Sequence, residues 1–248
     1  MYFLLTGEGN SDMGYSEENP GFLVDLLEKL AEEETSGTDV FVYNFVSRTE
    51  LAAAAEHSDS PKKMFLRGNK RKYASLIFIQ RTAEALGNIA VKNCNEVGAV
   101  FFHDCDFTHS EVDDPDKYYR QLVLSMESGF EAADYKNGVP MVPKPRSESW
   151  LLCHYQETPY VNCARFENLP GNDRSDNSGK KQLAKFLNCS ESDIYDKIDI
   201  GEIDWNRVDA PSFVFFKKRF QHVIQRLTHK PVSIPEEDTL MHTNRSLP

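Results

Sequence analysis

The chain opens on an apolar run, MYFLLT (1–6), with an aromatic pair and glycines at 7 and 9 to close it, the pattern of a short buried strand. After the loop GEGNSDMGYSEENPG, residues Phe22, Leu23, Leu26, Leu27 and Leu30 fall on one stripe. They predict a helix over about 22–34, with Pro20 and Gly21 near its start. DVFVYNFV (39–46) reads as a second strand, and the Ala-rich stretch 49–57 as a helix. A longer helix is predicted over about 71–92 from Leu76, Ile77, Ile79, Ala83, Leu86, Ile89 and Ala90. VGAVFFH (97–103) is apolar without alternation, as expected of a strand buried on both faces of a parallel sheet.

The same reading continues to the C-terminal end. Residues 115–133 predict a helix on Tyr118, Leu122, Leu124 and Met126, and VPMVPKP (139–145) a short strand broken by prolines. SESWLLCHY (147–155) predicts a helix capped by Ser147, and about 178–188 another, with SGKK at its capped start. SFVFFKKRFQHVIQRL (212–227) is amphipathic, with Phe213, Phe216, Phe220, Val223, Ile224 and Leu227 on one face and Ser212 as a cap. From Pro231 the chain is polar and reads as a tail. Strands alternating with helices predict an α/β fold: a parallel sheet flanked by helices, followed by a helical C-terminal section. No Pro/Gly/Ser-rich linker separates the two parts, so one integrated domain is expected.

Composition narrows the class. With 248 residues, 40% apolar and 27% charged, the chain is neither disordered nor fibrous. The net charge of −11 sits in residues 1–60, which hold 13 acids and 2 bases. The remainder is balanced, and KKMFLRGNKRK (62–72) carries six bases with Phe65 and Tyr73 beside them. That segment suits a phosphate backbone or a solvated helix start equally. No stretch reaches the roughly 18 apolar residues of a membrane span, and the N-terminus has no basic flank or cleavage site. A cytoplasmic protein with no membrane contact is expected. Five cysteines without a CxxC pair predict reduced, mostly buried thiols. His103, Cys105 and His109 match no familiar zinc spacing, and SGKK lacks the earlier glycine of a phosphate loop.

Candidate chemistry lies where strands end. Glu8 follows the first strand between two glycines; Asp104 and Asp106 follow the third. Open α/β sheets bind ligands at the carboxyl ends of their strands. Alternation on an extended segment points Asp104 and Asp106 the same way and His103 and Cys105 the other. If the two strands are neighbours, three carboxylates converge. Clustered like charges need compensation, and Mg²⁺ or Mn²⁺ supplies it in a form suited to phosphoryl chemistry. The plainer roles are a solvated loop acid for Glu8 and turn formation for Asp104 and Asp106.

An apolar strand with TGEGNSD, then an apolar strand with FFHDCDF, resembles the two acidic motifs of the Toprim domain, over about residues 1–155. VPKPRSESWLL (142–152) and APSFVFFKKRF (210–220) are similar to a Toprim-like family, domain of unknown function 4276, related to the Toprim half of the overcoming-lysogenisation-defect (OLD) nucleases. The resemblance implies a Toprim-type Rossmann-like sheet: a catalytic core over 1–155, an integrated helical extension over 156–230 and a flexible tail over 231–248. It implies a metal-dependent nuclease acting on DNA or RNA, in anti-phage defence beside a separate ABC-type ATPase subunit, with homo-oligomers a further expectation. Glu8 would be a metal ligand or general acid–base, Asp104 and Asp106 metal ligands, and Lys144 or Arg146 a phosphate holder. The third acid of the motif is replaced by Thr108, and Glu148 is the stand-in carboxylate. Glu148 could equally serve its helix dipole, and Lys144 and Arg146 could be solvated bases.

Two alternatives stand beside this. Asp104-x-Asp106-x-Thr108 also fits the first motif of haloacid-dehalogenase-type phosphatases, with Asp104 as nucleophile and Asp106 as general acid. That reading leaves Glu8 unused. A degenerate site that binds metal or nucleic acid without cutting, as a sensor subunit, is the other.

Overall fold

The structure is a computed structural model that describes residues 1–8, 12–16, 18–56, 70–93, 96–106 and 114–228. In chain order its strands are β1 (Tyr2–Gly7), β2 (Gly14–Ser16), β3 (Asn19–Pro20), β4 (Val42–Phe45), β5 (Val97–Phe102) and β6 (Gly138–Met141). The helices are α1 (Phe22–Thr35), α2 (Arg48–Glu56), α3 (Lys70–Asn93), α4 (Pro115–Ala132), α5 (Glu148–Tyr155), α6 (Gly179–Leu187), α7 (Ile194–Lys197) and α8 (Pro211–Leu227). Short 3₁₀ turns occupy Cys163–Asn168 and Ile200–Glu202.

Four strands form a parallel sheet in the order β4–β1–β5–β6. β2 and β3 pair separately, antiparallel, in the loop before α1. This is an α/β architecture of the Rossmann-like kind, with helices on both faces. β5 sits between β1 and β6 and all six of its residues are buried, as its unbroken apolar run predicts. β4, at the edge, alternates exposed and half-buried.

Alternation distributes the strand side chains between two cores. Phe3, Leu5, Val100, Phe102, Val139 and Met141 face one side, where they join α1 and α8. Leu4, Ala99 and Phe101 face the other, against α3 and α4. The first core continues without a break into α5, α6, α7 and the segment Ile203–Ala210, through Trp150, Leu183, Ile194 and Trp205.

Two helix starts differ from the sequence reading. Ser147 makes no side-chain cap bond to α5, because its hydroxyl is given to Asp12. α8 begins one residue earlier, with Pro211 at its first position, and the Ser212 hydroxyl accepts from Trp150 Nε1 at 2.8 Å. Ser178 does cap α6, accepting from the Lys181 amide.

The cysteines also depart from the expected reduced state. Cys153 and Cys163 form a disulfide across ten residues. The chain after α5 folds back on it: the Tyr160 amide and the Gln156 side chain both donate to the Cys153 carbonyl, at 2.7 and 3.1 Å. That reversal, invisible as a CxxC spacing, brings the two thiols together. Cys105 and Cys189 are free thiols. The tail from residue 231, Cys94, Thr108, His109 and most of the basic run 62–72 lie outside the described residues. Among the described residues no helix is long and apolar enough to cross a membrane.

Candidate functional site

The end of β5 explains how the site is held. The ladder to β6 continues past Phe102: the amides of His103 and Cys105 donate to Met141 and Pro143 carbonyls, both at 3.0 Å. Successive amides of an extended strand point to opposite neighbours. The Asp104 amide therefore points toward β1, where the strand has just ended. Glu8 fills the place of the missing carbonyl, its Oε1 accepting from the Asp104 N–H at 3.0 Å. Gly7 permits the approach, since a Cβ there would stand 2.8 Å from the Phe102 Cβ.

Glu8 Oε1 also lies 2.8 Å from His103 Nδ1. His103 sits on the α2/α3 side, as alternation expects, yet Glu8 reaches it at the strand end. Burial pushes the Glu8 carboxyl upward. The His103 hydrogen bond and charge, the Asp104 amide and Arg146 outweigh it, and the net direction is downward. Glu8 is an anion held in place.

Asp104 is the opposite case. Its Oδ1 is shut off from solvent and has no hydrogen-bond partner. Burial, and then the charges of Asp12, Glu148 and Glu8, drive its pKa well above the ordinary aspartate value, against a smaller opposing pull from Arg146. Glu148, the first residue of α5, is 3% exposed and accepts from the Tyr195 hydroxyl at 3.2 Å. Burial raises its pKa, with Asp12 adding to it. Asp12 is buried too and takes the Ser147 hydroxyl on Oδ1. Four carboxylates, from β1, the following loop, β5 and α5, thus act on one another.

Asp106 is set outside this group. It is exposed and its Oδ2 accepts from Arg146 Nη2 at 2.8 Å. Arg146 Nη1 is held by both oxygens of Asp173 at 2.9 Å, leaving Nε as a buried donor with no partner. Lys144 is not brought to the cluster. It is 4% exposed and its ammonium pairs with Asp116 at the start of α4. The chain bends between Lys144 and Arg146, so the alternation that would have aimed both the same way does not apply.

A hard divalent cation fits this donor set in charge and in the unpartnered oxygen of Asp104. It would not be caged by protein alone: among the described residues no three of these acids place oxygens within 4.8 Å of one another. The trio that does, Cys153, Cys163 and Asp209, contains the disulfide. Mg²⁺ commonly takes one or two carboxylates and keeps water or phosphate elsewhere, which is the coordination left open here.

No family model, curated protein or solved structure matches the chain. The Toprim likeness therefore stands on the motif residues alone.

Asp12, Asp173, Tyr195 and the Glu8–His103 contact are parts of the site that sequence reasoning missed. Only Asp12 had a signal: an acid four residues beyond Glu8 in the same glycine-containing loop. Its position depends on Gly21, whose amide donates to the Met13 carbonyl at 3.1 Å. A Cβ at Gly21 would lie 2.1 Å from the Asp12 carbonyl oxygen, a backbone atom that cannot rotate away. Gly21→Ala is expected to cost about 1–3 kcal/mol in chemical denaturation, as overpacking does. An unchanged midpoint would show that the loop is not seated as described.

Proposed function

We propose that the chain is a Toprim-like, metal-dependent nuclease that hydrolyses DNA or RNA phosphodiesters with Mg²⁺ or Mn²⁺. The observation that supports this most is the orphaned Oδ1 of Asp104, buried among Glu8, Asp12 and Glu148 at the carboxyl ends of two adjacent parallel strands. Two or more of these acids would hold the ion, with Glu148 and Asp12 the most buried and Asp104 offering an unpartnered oxygen. A bound ion would polarise the phosphodiester and activate water. Glu8, kept anionic by His103 and the Asp104 amide, is suited to help hold the ion. Arg146, pinned by Asp173 and Asp106, has its Nε–H left for a phosphate oxygen. Lys144, tied to Asp116, has no part in this scheme. A separate ATPase subunit, self-association and a cytoplasmic setting belong to the same proposal.

Incubation with supercoiled plasmid, single-stranded DNA and tRNA tests it. Cutting is expected with Mg²⁺ or Mn²⁺, not with EDTA, and not in Glu8→Ala. Cutting that survives Glu8→Ala would sink the site. Hydrolysis of p-nitrophenyl phosphate with trapping by fluoroberyllate would favour the phosphatase alternative. The spread of the acidic oxygens favours a second reading, a binding subunit that does not cut; nucleic-acid binding without cleavage under either metal would establish it.

A further inference from the structure

A cavity of about 530 Å³ opens beside the acid cluster, on the face of the sheet covered by α2 and α3. Leu51, Ile79 and Phe101, all buried, are among its apolar walls. Glu8 and His103 belong both to this cavity and to the site. Two exposed arginines, Arg48 on α2 and Arg81 on α3, line it as well, and so does Phe78, whose side chain is 66% exposed.

The size is that of a small-molecule site, and the lining is apolar with a few polar groups, as such sites are. An apolar slot with an aromatic side chain suits the faces of a nucleobase. The arginines suit the phosphates on either side of it. A base stacked in a duplex cannot enter such a slot; an unpaired one can. We infer that the cavity takes one unstacked base of a single-stranded nucleic acid, placing the adjoining phosphate at the acid cluster. This rests on the nuclease reading and adds a substrate class to it: single strands or unpaired ends, in preference to intact duplex.

The test is a binding measurement on the full chain in EDTA, where nothing is cut. A fluorescein-labelled oligothymidylate of about 15 nucleotides is followed by anisotropy. Ala52→Trp places an indole in the cavity from an exposed position, and Phe78→Ala removes the aromatic face at a surface site. Each is expected to weaken binding about five- to 150-fold, the range of one lost base stack. An abasic oligomer should bind the wild type weakly and ignore both substitutions. Equal binding by wild type and both variants would overturn the inference. So would an abasic strand that binds as well as the base-bearing one. Thymidine monophosphate competing as well as the oligomer would overturn the strand and indicate a mononucleotide site. The two proposals fail separately. Duplex cutting that Ala52→Trp leaves unchanged removes the cavity's role and keeps the nuclease. Base-dependent binding with no cleavage under Mg²⁺ or Mn²⁺ does the reverse.

Discussion

Asp104→Asn is expected to make the metal-free protein more stable at neutral pH while abolishing its response to divalent metal. The wild-type carboxyl is buried against Asp12, Glu148 and Glu8, so its folded-state pKa is raised. A raised carboxyl pKa means that the unfolded chain releases its proton first. Asp104 therefore costs nothing below its ordinary value of 3.8. Its cost grows as pH rises from there to the folded value and then levels off. Glu148 runs in the same direction from 4.5, whereas Glu8, whose pKa is lowered, contributes stability that is lost on acidification. In EDTA the wild type should lose melting temperature as pH rises through this range, and Asp104→Asn should lose less. Each kcal/mol of relieved repulsion is worth about 2–4 °C in a chain of this size. Mg²⁺ or Mn²⁺ should raise the wild-type melting temperature at pH 7 and leave the variant where it was. Any metal-dependent cutting should fall by at least about 100-fold, the upper end of losses seen when only a ligand's support is removed. A wild type whose melting temperature ignores divalent cations at pH 7 would refute the cluster as a cation site.

What was legible in the sequence follows the range of the forces involved. β1 and β5 were visible because continuous burial writes a continuous apolar run, and both ends were visible because Gly7 and the Asp104–Asp106 pair interrupt it. The parallel sheet followed from the alternation of elements. Ser147 and Ser212 were read as caps on local grounds, but both hydroxyls are claimed by distant partners, Asp12 and Trp150. Lys144 and Arg146 looked equivalent two residues apart; a bend sends one to Asp116 and the other to Asp106 and Asp173. Asp12 enters the cluster only because Gly21 lets the loop lie against the start of α1. The side-chain contacts of Ser147, Ser212, Lys144 and Arg146 span tens of residues or more and leave no periodic trace.

Trp150→Ala is expected to be the most destabilising single change, at about 3–5 kcal/mol. The side chain is 1% exposed. Its ring stacks on Phe216 at 5.5 Å and meets Phe213 edge-on at 5.2 Å, while Nε1 donates to Ser212 Oγ at 2.8 Å. All three partners are on α8, so one residue joins α5 to the last helix. Truncation empties a large volume in the first core and strands the Ser212 hydroxyl, whose own amide is already given to Glu167 at 2.6 Å. Trp150→Phe keeps most of the packing and loses the hydrogen bond, at about 1 kcal/mol. The ratio of the two in urea denaturation separates packing from bonding. Against a total stability of about 5–15 kcal/mol for an ordinary domain, the alanine variant has little reserve. The consequence reaches the site, because Glu148 stands two residues before Trp150 and Arg146 four before it. If α8 were merely appended to the sheet, Trp150→Ala would leave the metal-dependent rise in melting temperature intact. If α8 holds α5 against the end of β5, as the shared core requires, the rise should shrink together with the stability.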